Sequence, residues 1–228
     1  MKKLILFTLL ISSIGSFGQQ VFFETGLNVS DFNFRNNDGE YLENLQSKTQ
    51  NYITAGYKHR IFTDGLNIST AISYNNYEAI GSDPELQNFF EWDISYLGLT
   101  LSLDYEAFKV GNFAFYITAG GSAEYMTDGV KTLNNQVFNV KDIEEFKDIA
   151  YFFRSGAGLR FDISDTAQMY FQYTHATGLA LNDNNNSSVT RLTIGVDTIG
   201  LGVMVDIPCN KKEEDIPENT DTNELETN

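Results

Sequence analysis

The residues of this chain that could do chemistry are few: two histidines, one cysteine, and charges that recur at alternate positions among glycines and hydroxyls. Histidine acts as a general acid or base only beside a serine or carboxylate within reach. His59 falls near the short-turn end of one alternating segment, and His175 lies well up another, in phase with Met169, Phe171 and Tyr173. The two stand at different heights and share no site, so each reads as a structural side chain. No metal-ligand pair, phosphate-binding loop or zinc spacing occurs. No catalytic constellation, metal or cofactor follows from these residues, and an enzyme is not expected. Cys209 stands alone, which excludes an intramolecular disulfide and leaves a free thiol, with intermolecular pairing as the alternative.

The charges say more. Glu24, Lys58, Arg60, Asp104, Glu124, Arg154, Arg160 and Asp162 all fall on the polar side of segments whose other side is apolar. Leu97, Leu99, Leu101, Leu103 and Tyr105 share one face, while Tyr96, Gly98, Thr100, Ser102 and Asp104 share the other. Phe115, Ile117, Ala119 and Tyr125 oppose Tyr116, Thr118, Gly120, Ser122 and Glu124 in the same way. Phe153, Ala157, Leu159, Phe161 and Ile163 oppose Arg154, Gly156, Gly158, Arg160 and Asp162. Ile53, Ala55, Tyr57 and Ile61 oppose Thr54, Gly56, Lys58 and Arg60, and Phe23, Leu27 and Val29 oppose Glu24, Gly26, Asn28 and Ser30. Small residues mixed with both signs of charge suit the filled interior of a narrow barrel. Unpaired charge is costly in so confined a space, so these charges are expected to pair across the lumen and plug it. The alternative is a narrow small-solute pore whose selectivity they set.

The elements that position them alternate with period two, at Val21–Phe34, Gln50–Phe62, Gly65–Tyr77, Phe90–Phe108, Phe113–Met126, Asp148–Ile163, Ala167–Leu181 and Val189–Ile207. Only Val140–Ile149 carries a short helical pattern. Tight turns at Thr63–Gly65, Lys109–Asn112 and Ser164–Thr166 take turns with long polar connections such as "EAIGSDPELQN" and "NDNNNS". An up-and-down meander of this kind is the pattern of outer-membrane barrels, whose short turns lie in the periplasm. Each segment meets the about 9–11 tilted residues that a bilayer crossing takes, and a sheet in lipid must close because no water satisfies an open edge. The expected fold is all-β, an eight-stranded antiparallel up-and-down transmembrane β-barrel. Phe22, Phe62, Tyr74, Tyr77, Trp92, Phe108, Phe113, Tyr125 and Tyr151 gather toward segment ends as interfacial girdles would. The last segment breaks phase, with Leu192, Ile194 and Val196 in one register and Ile199, Leu201, Val203 and Val205 in the other. A β-bulge near Asp197–Thr198 would return the apolar row to the lipid face.

The ends bound the location. Residues 1–18, "MKKLILFTLLISSIGSFG", have the basic start, short apolar run and small terminal residues of a secretory signal peptide cut after Gly18. No cysteine stands there to take a lipid. The barrel then covers residues 19–207, and residues 208–228 form an acidic tail expected to be disordered. Pro84, Pro208 and Pro217 all avoid the strands, as an unbroken hydrogen-bond ladder requires. A net charge of −16 argues against nucleic acid as a partner.

The motifs "GLNVSDF" (Gly26–Phe32), "YLGLTLSLDY" (Tyr96–Tyr105), "YITAGGSAEY" (Tyr116–Tyr125), "SGAGLRFDI" (Ser155–Ile163) and "YTHATGLALND" (Tyr173–Asp183), in this order, resemble the small outer-membrane β-barrel proteins of the OmpA-like and PorT-like kind. The resemblance spans roughly Val21 to Ile207. It implies an eight-stranded barrel in a Gram-negative outer membrane, with outer-membrane lipid and the barrel-assembly machinery as partners; the long connection after the first segment puts both termini on the short-turn, periplasmic side. Such barrels often end on an aromatic, whereas this one reaches Ile207 and continues into the tail. PorT-like members are associated with a secretion and motility apparatus. The role expected is therefore a structural or docking barrel, an accessory of such an apparatus, with protein partners met through the tail or the long loops. A narrow pore and a soluble exported β-barrel that binds an apolar ligand are the alternatives.

Overall fold

The computed structural model describes residues 19–35, 45–61, 65–83, 88–142, 149–179, 181–182 and 191–207. The expected leader, the acidic tail, Cys209 and Phe62 lie outside the described residues. Period-two alternation becomes strand along β1 (Gln19–Arg35), β2 (Leu45–Arg60), β3 (Leu66–Asp83), β4 (Asn88–Val110), β5 (Phe113–Leu133), β6 (Gln136–Asn139), β7 (Ala150–Asp162), β8 (Ala167–Gly178), β9 (Leu181–Asn182) and β10 (Arg191–Asp206). β6 and β9 are short pieces paired only to β5 and β10. The other eight form a ring in chain order, each antiparallel to the next, and β1 closes on β10 from Gln20 opposite Asp206 to Arg35 opposite Arg191. The fold is an eight-stranded up-and-down barrel.

β4 and β5 run for 23 and 21 residues, well beyond the about 9–11 needed to cross a bilayer. The excess lies toward the long-loop end. Leu45–Thr49, Glu78–Asp83 and Thr127–Leu133, which the sequence places in loops, are strand. β5 and β6 form a hairpin over Asn134 (φ 49) and Asn135 (φ 65), the left-handed pair that a tight hairpin turn requires. After it only Val140–Asp142 makes a helical turn, of the 3₁₀ type, and residues 143–148 of the expected helix lie outside the described residues. At the opposite end Gly111, with φ 59, turns β4 into β5.

The two faces separate as the pattern requires over the middle of each strand. Leu99 and Leu101 are 62% and 53% exposed on the outside, whereas Asp104 and Glu124 are 6% and 0% exposed on the inside. Thirty-five large hydrophobic side chains are exposed among the described residues, most of them in one outward band. A soluble surface does not carry so large an apolar patch, and a surface that meets lipid does.

Two expectations need correction. No bulge forms at Asp197–Thr198: Asp197 pairs with Val29 and His175, and Thr198 with Asn28 and Thr174, without a register shift. The apolar row changes sides because the lumen changes character. Ile194 and Val196 point inward, buried in a cluster that fills the loop end of the barrel, while Ile199, Leu201, Val203 and Val205 face out. The register irregularities occur instead around Thr127 in β5, Ala107 in β4 and between Ser47 and Tyr52 in β2 and its partner. The girdle also loses members. Phe22, Tyr77 and Trp92 point into the lumen, whereas Tyr74, Phe108, Phe113, Tyr125 and Tyr151 are exposed on the outside.

Leu101→Arg should lower stability by about 2–4 kcal/mol if it lands near the bilayer midplane. Urea unfolding of the protein in lipid vesicles measures this, and a variant as stable as the parent would refute the assignment of faces.

Candidate functional site: the barrel lumen

From the short-turn end inward, the lumen begins as a vestibule of about 350 Å³. Arg160 pairs with Glu106 there, Lys109 Nζ lies 2.6 Å from Asp162 Oδ2, and Gln168 donates to the other oxygen of Asp162 at 2.8 Å. Gln20 donates to Asp206 at 2.6 Å, which ties β1 to β10 at the rim. Arg60 is exposed at this mouth and lines the same vestibule.

One layer deeper, Lys58 Nζ meets Asp104 Oδ2 at 2.8 Å, with both side chains nearly buried. The rings of Phe22, Tyr116 and Tyr170 surround the ammonium at 5.9, 5.5 and 6.0 Å, close enough for each π face to attract it. A burial that would strip Lys58 of water is thus offset by one carboxylate and three aromatic faces.

Above this cage lies a chamber of about 100 Å³. Glu24, buried in its wall, is held by tyrosine rather than by a cation: Tyr52 donates to it at 2.5 Å, and Tyr170 and Gln172 bond it as well. β10 comes close enough for these side chains to fit because Gly200 and Gly202 lack a Cβ, which would strike the Tyr52 hydroxyl and the Tyr170 ring.

The far wall is a buried network. Arg154 donates to Glu124 at 2.5 Å, to Ser122 at 3.1 Å and to Tyr77 at 3.1 Å, while Tyr77 and Ser122 each donate to Glu124 at 2.9 Å. Beyond it the lumen is apolar. Phe32, Trp92, Ile94, Tyr96, Met126, Phe152, Ile194 and Val196 pack across it, and Val140 enters the same cluster from the 3₁₀ turn at 0% exposure. Outside this cork, Lys48 bridges Glu78 and Glu91, with Gln50 on the same Glu78 carboxylate. Burial alone would raise the Glu78 carboxyl, but the bonds from Lys48 and Gln50 hold it below the usual range.

The charges singled out from the sequence do not form one network. Lys58 joins Asp104 and Glu124 joins Arg154, but Arg160 and Asp162 take Glu106 and Lys109, and Glu24 takes tyrosines. Glu106 continues the inward row of Asp104 by two residues, so the same alternation could have found it. The inward tyrosines Tyr52 and Tyr170 carry no such signal, because aromatic side chains occupy both faces. No group of three or more metal-ligating side chains occurs among the described residues. His59 stacks on Tyr57 on β2, while His175 sits on the outside of β8 beside Asp197 of β10. Strand register alone brings that aspartate to it, and no spacing in the sequence reports register.

Several solved structures resemble this chain. Neisserial surface protein A matches with a TM-score of 0.50 at 12% identity, over 83% of this chain and 97% of that one. Outer membrane protein OprG from Pseudomonas aeruginosa matches with a TM-score of 0.46 at 15% identity, over 85% and 98%. The outer membrane protease OmpT from Escherichia coli matches with 0.47 at 7%, over 83% and 97%. The first of these supports the barrel fold. No family model matches the sequence, and no curated protein matches it significantly.

Removing one partner of a buried pair strands the other charge. Glu124→Ala should therefore cost about 3–5 kcal/mol, and Lys58→Met with Asp104→Leu, which removes both partners of the neighbouring pair, should be close to neutral. Chemical unfolding in lipid compares the two, and equal losses would contradict this account of the lumen.

Proposed function

We propose that the protein is an integral outer-membrane barrel whose lumen is plugged, and that it works as a structural or docking barrel rather than as a channel. The observation that carries this reading is the closure of the lumen from both sides of a small chamber: the Lys58–Asp104 cage on one side, the Arg154–Glu124 network and its apolar cork on the other. An ion entering from either mouth would have to break a buried ion pair or displace packed side chains, and each step is costly in so narrow a space. The apolar exterior supports insertion in a bilayer, and the short turns support a periplasmic position for the end where Ile207 bonds back to Gln19.

With the interior closed, recognition is left to what projects from the barrel. At the loop end these are the extended β3–β4–β5 strands and the β5–β6 hairpin, on which Val137 and Phe138 are exposed. At the other end the acidic tail follows Ile207. Service to a secretion or motility apparatus is the narrower role that the PorT-like resemblance implies, with partners on either side of the membrane.

Purified protein in planar bilayers should show no steady, salt-dependent conductance, and such a conductance would favour the pore instead. Cysteines placed in the tail and in the 127–147 connection, carrying a photocrosslinker, should capture the same protein partner reproducibly from cells. Capture of lipid and general assembly factors alone would count against docking.

A further inference from the structure

On the outside of the barrel, away from the lumen, four side chains of β8 and β10 meet in an arrangement that packing does not require. His175 Nδ1 lies 2.8 Å from Asp197 Oδ1, and Tyr173 donates to the same oxygen at 2.6 Å. The other ring nitrogen, His175 Nε2, lies 3.3 Å from Thr177 Oγ1. His175 and Asp197 are direct cross-strand partners, and Thr177 follows two residues on, on the same face. If Nδ1–H donates to Asp197, Nε2 is left unprotonated and the Thr177 hydroxyl donates to it. That is the order nucleophile, base, orienting carboxylate. At 53% and 48% exposure the His175–Asp197 pair adds little to stability.

Its height on the barrel supplies a second, independent observation. Outward positions on β8 are apolar or aromatic through Met169, Phe171 and Tyr173 and turn polar at His175; those on β10 are apolar from Ile207 back to Ile199 and turn polar at Asp197. Thr177 stands ten residues from the start of β8 at Ala167, and Asp197 stands ten residues from Ile207. A tilted strand uses about 9–11 residues to cross the hydrocarbon. The three groups therefore sit at the loop-end edge of the apolar band, where the ester carbonyls of bilayer lipids lie. Ile199, on the hydrocarbon side of Asp197, and Phe153, the cross-strand partner of Thr177, are 46% and 60% exposed. They offer an acyl chain a wall, and Ser155, opposite His175 on β7, puts a further hydroxyl on the same face.

We infer that Thr177, His175 and Asp197 form a hydrolytic site on the barrel exterior that cleaves acyl esters of membrane lipids. Thr177 Oγ1 attacks the ester carbonyl carbon while His175 Nε2 takes its proton. The tetrahedral intermediate collapses with cleavage of the bond to the alcohol oxygen, and His175 returns the proton to that leaving oxygen. Water then attacks the acyl-threonine, giving its proton to His175; the bond to Thr177 breaks, Thr177 regains its proton, and a free fatty acid leaves. Asp197, with Tyr173 bonded to it, is a positioning group: it holds the tautomer and stabilises the imidazolium.

The inference goes beyond the plugged lumen and rests only on insertion in the bilayer. Full-length protein would be reconstituted into vesicles of dioleoylphosphatidylcholine, with and without lipid A, and assayed for fatty-acid release; a heat-dependent shift in gel mobility reports insertion separately. Release from either vesicle supports the site, and the two arms separate glycerolipid from lipid A esters. Thr177→Ala and His175→Ala should lower release about a hundredfold or more, while Thr177→Ser should retain it. Asp197→Asn should lower kcat with KM little changed, because the amide no longer holds the reactive tautomer of His175. An inserted barrel that releases no fatty acid from either vesicle, or Thr177→Ala that releases as much as the parent, would overturn the inference and leave the barrel reading standing. A chain that does not insert would overturn both.

Discussion

The whole structure depends on the closure of one ring of backbone hydrogen bonds. In hydrocarbon an unpaired N–H or C=O has no water to turn to, so a spanning sheet cannot end in an edge. The pairing of β1 with β10, from Gln20 opposite Asp206 to Arg35 opposite Arg191, removes the two edges that the first and last strands would otherwise present. Once eight strands close, the interior is only wide enough for side chains. The remaining features of the molecule are answers to that narrow width.

Inside, the width forces small residues and large ones into complementary places. Gly200 and Gly202 leave the room that Tyr52 and Tyr170 fill. Charges in such a space must each be met. Lys58 is met by Asp104 and three aromatic faces, Arg154 by Glu124, Tyr77 and Ser122, and Glu24 by hydroxyls. The polar layers stop where Tyr77 and Arg154 hand over to the apolar cork, which Val140 completes from the 3₁₀ turn. The lumen is therefore layered along its axis, polar toward the short turns and apolar at the loop end.

Outside, the same closure makes the barrel wall a rigid platform with a fixed register. Residues far apart in the chain come side by side at a set height, as His175 and Asp197 do. The interior charges hold one another, whereas this outer cluster keeps a hydroxyl, an imidazole and a carboxylate accessible on the outer face. The two surfaces of one sheet thus carry different chemistry, separated by a single strand thickness.

Alternation, turn spacing and strand length were enough to read the barrel and the inward direction of Glu24, Lys58, Asp104, Glu124, Arg154, Arg160 and Asp162 from the sequence, because a side-chain period of two is a local property of an extended backbone. Local rules failed where the environment along one face changed. Ile194 and Val196 looked misplaced until the loop end of the lumen proved apolar, so a phase break that suggested a bulge is a straight strand crossing from one kind of interior to another. Tyr77 and Trp92 went inward for the same reason, whereas Phe22 went inward at the other end, beside the Lys58 ammonium. Partner choice was likewise hidden. The sequence by itself determined which residues could share a face and that the sheet had to close. Only the tertiary structure decided that Lys58 meets Asp104, that Glu24 rests on tyrosines and that Asp197 lies beside His175, because cross-barrel distance and cross-strand register arise when the ring closes.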